Sequence, residues 1–211
     1  MDTKPQKSLR PRRKPEQDRS RERARQIMDV TAKLLDRVGF DDLTTILIAK
    51  ELNISVGALY HYYPNKHAIL RALAERWLAA WNIILDDIEA LPVERMSIER
   101  LVSEMSALFA SVYEDQKAVL PLARAMSVVP EIRDLDLKHD ALVVTCLSRV
   151  FKRMGIGKSN NDRQRIGNIY LETIHAIMIL HLKATGVGSK RILEDVNAMS
   201  IALLYRHLKH A

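Results

Sequence analysis

The sequence predicts an all-α protein in two parts, a small three-helix head followed by a larger helical domain. Three observations lead there. Apolar residues recur every three or four positions through most of the chain, which is the spacing of one helical face, and no segment shows the alternation of a strand. Ser, Thr and Asn stand where helices should start, and Gly or Pro where they should stop. The 211 residues are 47% hydrophobic and 28% charged, as in a soluble globular protein, and no apolar run approaches the roughly 20 residues of a membrane span.

Met1 to Ser20 is polar, contains Pro5, Pro11 and Pro15 and lacks helical periodicity, so residues 1–20 are expected to form a disordered basic arm. A helix is expected from about Arg21, with Ala24, Ile27, Met28, Thr31, Leu34, Leu35 and Val38 on one stripe and Gly39 at its end. Thr44 can cap a second helix whose inner face is Ile48, Ala49 and Leu52. Asn53 falls where the chain must turn, Ile54 re-enters the core, and Ser55 can cap a third helix through about Tyr62. Residues 21–66 make up this head, and residues 67–211 the second domain. A long helix is expected from Lys66 to about Leu91, carrying Leu70, Leu73, Trp77, Trp81, Ile84 and Ile88, with Pro92 stopping it. Further helices are expected over Ser97–Tyr113, a short piece over Val119–Val129 interrupted by Pro121, and Pro130–Met154 through Ile132, Leu135, Leu142, Leu147, Val150 and Phe151. The connection 155–161 reads as flexible. The last two helices are expected over Asp162–Thr185 and Lys190–His210, with Ser189 as the cap of the second.

The outer face of the third helix is unusual. Gly57 costs roughly 1 kcal/mol against Ala in a helix interior, so something is expected to approach the backbone there. Tyr60, His61 and Tyr62 offer hydroxyls, an imidazole and ring surfaces, while Leu59 and Tyr63 are placed to pack inward. Two short helices with a buried inner face and a polar outer face are what a major-groove reader needs. An ordinary helical hairpin with tyrosines on a wet surface is the plainer reading of the same pattern.

The run from Thr44 to Lys66, TTILIAKELNISVGALYHYYPNK, resembles the N-terminal domain of the TetR/AcrR family of bacterial regulators. The matching elements are Gly39-Phe40, Thr44-Thr45, Ile48-Ala49 and Ser55 through Lys66, and the resemblance covers about Ala24 to Trp81. It implies an N-terminal helix-turn-helix DNA-binding domain and a larger C-terminal ligand-binding and dimerisation domain. It also implies a regulator, in first place a repressor, that binds a palindromic double-stranded operator as a homodimer and is released by a small, largely apolar effector. On the family pattern Thr45 would hold a phosphate, Gly57 and Ala58 would lie against the groove, Tyr60 and Tyr62 would touch phosphate or bases, and Lys66 would anchor the backbone. Ser55 and His61 complete the DNA-facing set. Two residues depart from the pattern: Ile46 stands where relatives place a polar group towards DNA, and Tyr63 replaces the usual Phe.

Charge is concentrated before the head. Met1 to Arg25 holds ten Lys or Arg against four Asp or Glu, Gln26 to Lys66 four against five, and His67 to the end nineteen against seventeen, which together give the net +7. The arm, with Arg10, Arg12 and Arg13, is therefore expected to supply the phosphate or minor-groove contacts that a polyanion partner requires. The N-terminus lacks the apolar core of a signal peptide and Cys146 has no second cysteine to pair with, so a reducing cytoplasm is the expected setting.

No enzymatic chemistry is expected. There is no phosphate-cradling Gly loop, no catalytic triad and no cofactor motif. His175 and His181 are six apart rather than the four of a helical metal pair, so no metal is expected. Cys146 among Val143, Val144 and Leu147 reads as a buried structural thiol. Arg124, Thr145, Glu172, Thr173 and His175 are isolated polar residues in apolar helices and are candidates to orient an effector. Met105, Phe109, Tyr113 and Met126 either line its cavity or simply pack the core. The last two helices, with Ile169, Ile174, Ile177, Met178, Leu180 and Leu182 on one and Val196, Met199, Ile201, Leu203 and Leu204 on the other, carry more apolar residues than one stripe needs; in a monomer the surplus would be core, and the family resemblance implies a dimer interface there. Two alternatives remain. An effector-independent DNA-organising protein would have a filled second domain, and a regulator switched by a protein partner would expose an apolar patch there.

Overall fold

The computed structural model describes residues 15–115, 121–122, 126 and 129–208, and every regular element among them is a helix. In chain order these are α1 (Pro15–Val38), α2 (Thr45–Glu51), α3 (Val56–Tyr62), α4 (Lys66–Ala90), a 3-10 turn (Val93–Arg95), α5 (Ile98–Asp115), α6 (Pro130–Arg153), α7 (Asn160–Lys183) and α8 (Val187–Arg206). Among the described residues no helix is long and apolar enough to cross a membrane.

The head is set by local chemistry. Thr44, Ser55 and Asn65 each accept a hydrogen bond from the backbone N–H three residues on, capping α2, α3 and α4. Asn53 takes a left-handed conformation, φ 53°, and so turns the chain between α2 and α3. Ile27, Leu34, Leu35, Leu43, Ile48, Ala49 and Leu59 are buried together, and Thr31 turns its hydroxyl back to the Ile27 carbonyl. The apolar cluster then continues without a break along α4 into α5 to α8.

α4 links the two regions. Its 25 residues extend on the order of 35–40 Å. Arg76 pairs with Asp29 of α1 at 2.6 Å, and Arg71 grips Asp134 of α6 through two hydrogen bonds of 2.8 and 3.1 Å. At its far end Arg153 of α6 binds both carboxylate oxygens of Glu94 and the carbonyls of Glu89 and Leu91, which holds the turn that Pro92 introduces.

Several expectations are corrected. The described part of α1 runs from Pro15, six residues before Arg21. Of the expected disordered arm, Pro15 to Ser20 is therefore helical, and residues 1–14, with Arg10, Arg12 and Arg13, lie outside the described residues. Most of the short piece around Pro121, including Arg124, lies outside them too. The connection after α6 is pinned: Ile156 is fully buried and bridged to Leu208, and Gly157 N–H donates to the His207 carbonyl at 2.9 Å. α7 starts two residues early because Ser159 caps it. Ser189 does not cap α8. It lies inside the helix, which follows Gly186 with its φ of 55°, and bonds His181 instead. Leu142, expected inward, is 54% exposed.

Candidate nucleic-acid interface and effector region

α2 and α3 bury Ile48, Ala49 and Leu59 and leave a contiguous outer face. On it Ile46 is 68% and Tyr60 48% exposed. The Tyr60 hydroxyl lies 3.2 Å from Thr45 Oγ1, so the candidate phosphate ligand Thr45 and Tyr60, a candidate for phosphate or bases, form one unit that bridges the helices. A Cβ added at Gly57 would meet only Ser55 Oγ at 3.8 Å, so nothing inside the chain demands the glycine. Ser55 is committed to its cap through Ala58 N–H, and both sit at the exposed start of α3. His61 is exposed and meets the Tyr62 ring edge-on at 5.5 Å, but Tyr62 is half-buried and packs on the core, so it belongs only in part to the outer face.

Lys66 is more constrained than its sequence position implies. Its Nζ donates to the Phe40 carbonyl at 3.4 Å and sits 5.0 Å from the centre of the Phe40 ring, tying the start of α4 to the end of α1. An ammonium has three donors, so this leaves others available. The early start of α1 adds a feature absent from the sequence reading: Arg19, Arg23 and Gln26 line a surface groove with His61 and Tyr62.

The effector candidates separate. Met105, Phe109 and Met126 are core residues with almost no exposure. Thr145 is exposed, returns its hydroxyl to the Ala141 carbonyl, and borders a cleft between α6 and α7 with Ser148 and Asn160. It lies apart from the others because helical rotation turns it outward. Glu172 is exposed. Tyr113 and His175 do meet, with the hydroxyl 2.7 Å from Nδ1. They belong to the wall of a cavity of about 20 Å³ shared with Trp77, Trp81, Asp136, His139, Asp140 and Leu171, of which none but Tyr113 and His175 was singled out as an effector candidate from sequence.

Two other polar features are structural. Cys146 donates weakly to the Leu85 carbonyl and burial pushes its thiol up to about 12, the state of an inert core cysteine. Buried His181 joins Ser189, with Oγ 2.8 Å and the carbonyl 3.0 Å from Nδ1, to Glu114, 3.3 Å from Nε2. Spacing alone did not bring these three together; they fasten α5, α7 and the start of α8.

A capped pair of short helices, a glycine on the outer surface and a long helix leading into a larger helical domain define a helix-turn-helix DNA-binding transcriptional regulator. The family model for bacterial regulatory proteins of the tetR family matches residues 27–73. The match spans the head and the first turns of α4, and there the chain is similar to that family. It is 26% identical to the transcriptional repressor KstR of Rhodococcus jostii (strain RHA1) over 176 residues, which are 81% of this chain and 79% of that protein. It is 50% identical to the class A tetracycline repressor from transposon 1721 of Escherichia coli over 46 residues, only 22% of this chain and 21% of that repressor. A transcriptional regulator from Saccharomonospora viridis, solved in complex with choline, shares the fold with a TM-score of 0.67 at 17% identity, over 90% of this chain and all of that one. The curated relatives are regulators rather than enzymes, in agreement with the sequence reading.

Proposed function

We propose that the chain is a cytoplasmic repressor that binds a palindromic operator as a homodimer and is released by a small molecule held in the domain behind the head. The observation that carries the reading is the outer face of α2 and α3, where Thr45 and Tyr60 form one hydroxyl pair beside the open backbone of Gly57. In this reading Thr45, Ser55, Tyr60, His61 and Lys66 meet phosphates or bases, Gly57 and Ala58 let the groove come close, Tyr62 contributes at its edge, and Arg19 and Arg23 reach the flanking backbone. The dimer would form through α7 and α8, whose outward apolar residues include Leu180 at 55% and Met199 at 53% exposure.

The test selects a preferred duplex from random DNA with the full chain and measures its binding beside that of a scrambled duplex. Tyr60→Ala should lower affinity for the selected duplex by about tenfold and affect the scrambled one less. Selection that yields no preferred sequence would overturn the reading. A second reading, an effector-independent DNA-organising protein, is favoured by the close packing around Met105 and Phe109. It requires DNA affinity that no small molecule alters.

A further inference from the structure

The chain contains two tryptophans, and both stand on α4, one turn apart, at the same cavity. Trp77 and Trp81 meet at 86° with their centroids 6.2 Å apart, and Tyr113 of α5 is edge-on to both, at 6.3 and 5.4 Å. Three rings therefore form one part of the wall. α6 supplies Asp136 and Asp140, four residues apart on one helical face, and α7 supplies His175.

Among the described residues the charge at this wall is uncompensated. Both aspartates are half-buried, and neither has a hydrogen bond or ion pair among the described residues. Burial raises both carboxyls, Asp140 to about 6; like charge adds to this, from Glu172 of α7 at Asp136 and from Asp136 and then Glu172 at Asp140. The two histidines supply no cation at neutral pH. His139 is lowered to about 4 by burial and by His175, and burial lowers His175 although Glu172 opposes it. Separately, Trp81 is 3% exposed and its indole N–H, on a ring that walls the cavity, has no partner among the described residues. An orphan donor of this kind calls for an oxygen acceptor.

Aromatic faces grouped with carboxylates, with no cation beside them among the described residues, match the chemistry of a quaternary ammonium group, which cannot donate hydrogen bonds and is held by ring quadrupoles and opposite charge. We propose that the cavity enclosed by α4, α5, α6 and α7 recognises an organic cation of this type, with Trp77, Trp81 and Tyr113 around the head and Asp136 and Asp140 meeting its charge. This names the ligand class for the effector reading above and rests on that reading only for its effect on DNA. It also replaces the largely apolar effector of the sequence reading with a charged one.

The cavity of about 20 Å³ is smaller than such a head group, so entry requires α4 and α6 to part. Their separation pulls on the Arg71–Asp134 pair and so on the part of α4 that Arg76 and Lys66 fasten to α1 and Phe40. Ligand and reading head thus act on the same helix.

The experiment uses the full chain and its tryptophan emission, which arises only from the cage. Tetramethylammonium, choline and benzyltrimethylammonium chlorides are titrated at constant ionic strength beside 3,3-dimethylbutan-1-ol, the neutral carbon counterpart of choline. At least one cation should give a saturable change, with the neutral alcohol weaker by about tenfold or more. The double variant D136N/D140N should raise the cation Kd by about tenfold or more while keeping the thermal midpoint of the parent. Affinity should fall as the pH drops through about 6 and Asp140 takes up its proton. Equal binding of the alcohol, no saturation by any of these cations, or an unchanged Kd in D136N/D140N would overturn the proposal, and the first two need no variant to fold. Operator affinity is measured in parallel. Cation binding that leaves DNA affinity unaltered refutes the effector role but keeps the site, whereas operator binding with no cation site overturns this proposal and keeps the DNA-binding reading.

Discussion

In the head, the side chains that fix the helices reach three residues: Thr44 to Leu47, Ser55 to Ala58, Asn65 to Ala68. In the domain behind it Ser159 caps α7 in the same way, but the helices are also joined across the chain: Arg153 to Glu94 over 59 residues, Tyr113 to His175 over 62, Ser106 to Asn197 over 91 and Tyr205 to Glu99 over 106. The head's helix ends are thus fixed independently of the rest, but its core is small and leans on α4. The second domain is fixed only when all its helices are in place, so its motions are collective. A ligand in the second domain can therefore move the head as a body without remodelling it.

Leu59→Ala should give the largest effect on this contrast. Leu59 is fully buried at the centre of the head, and its loss should cost about 2–5 kcal/mol, followed by chemical denaturation. An early separate transition with loss of operator binding would mark the head as an independent unit, and a single shifted transition would show that α4 couples it to the rest. Arg153→Ala comes next, with an expected fall in Tm of about 2–4 °C. The Arg153 guanidinium holds Glu94 down at about 2, so the contribution of the pair is fully present above the ordinary carboxylate range and is lost as the pH falls from about 4.5 towards 2. The parent should lose more stability across that window than the variant, and equal acid limbs would show that the pair does not secure the turn.

Lys66→Ala tests the junction. If Lys66 meets a phosphate in addition to Phe40, the slope of log affinity against log salt should fall by roughly one unit with sequence preference kept. An unchanged slope with a lowered Tm would make it solely a fastener between α4 and Phe40. The smallest effect is expected from Thr145→Ala, within about 0.5 kcal/mol and without effect on ligand binding, because its side chain is exposed and returns to its own helix. A clear effect on ligand binding would place the effector in the cleft between α6 and α7 rather than in the tryptophan cage.

The same contrast explains what could be read from residues alone. Thr44, Asn53, Ser55 and Asn65 act within a few positions, so the head's helices follow from their identity and spacing. Gly155, Gly157 and Ser159 looked like a flexible link because the partner of Ile156 is Leu208, beyond any local window. Ser189 looked like a cap because its partner, His181, lies on the preceding helix. Pro15 to Ser20 reads as part of the arm because it is polar and lacks apolar periodicity, yet it is helical. Trp77 and Trp81 were visible as a core stripe, and Asp136 and Asp140 had the spacing of a wet helix face. Only the packing of α4 against α6 puts the rings and the carboxylates around one space.

The bridge between Ile156 and Leu208 closes α7 and α8 into a frame. A short turn at Gly186 joins them at one end, and the hydrogen bond from Gly157 to His207 ties the end of α8 to the start of α7 at the other. A pair held at both ends cannot scissor. In the proposed dimer two such frames act as a ruler of fixed length between the reading heads. Operators with a few base pairs inserted between half-sites should then be refused rather than accommodated by bending of the protein.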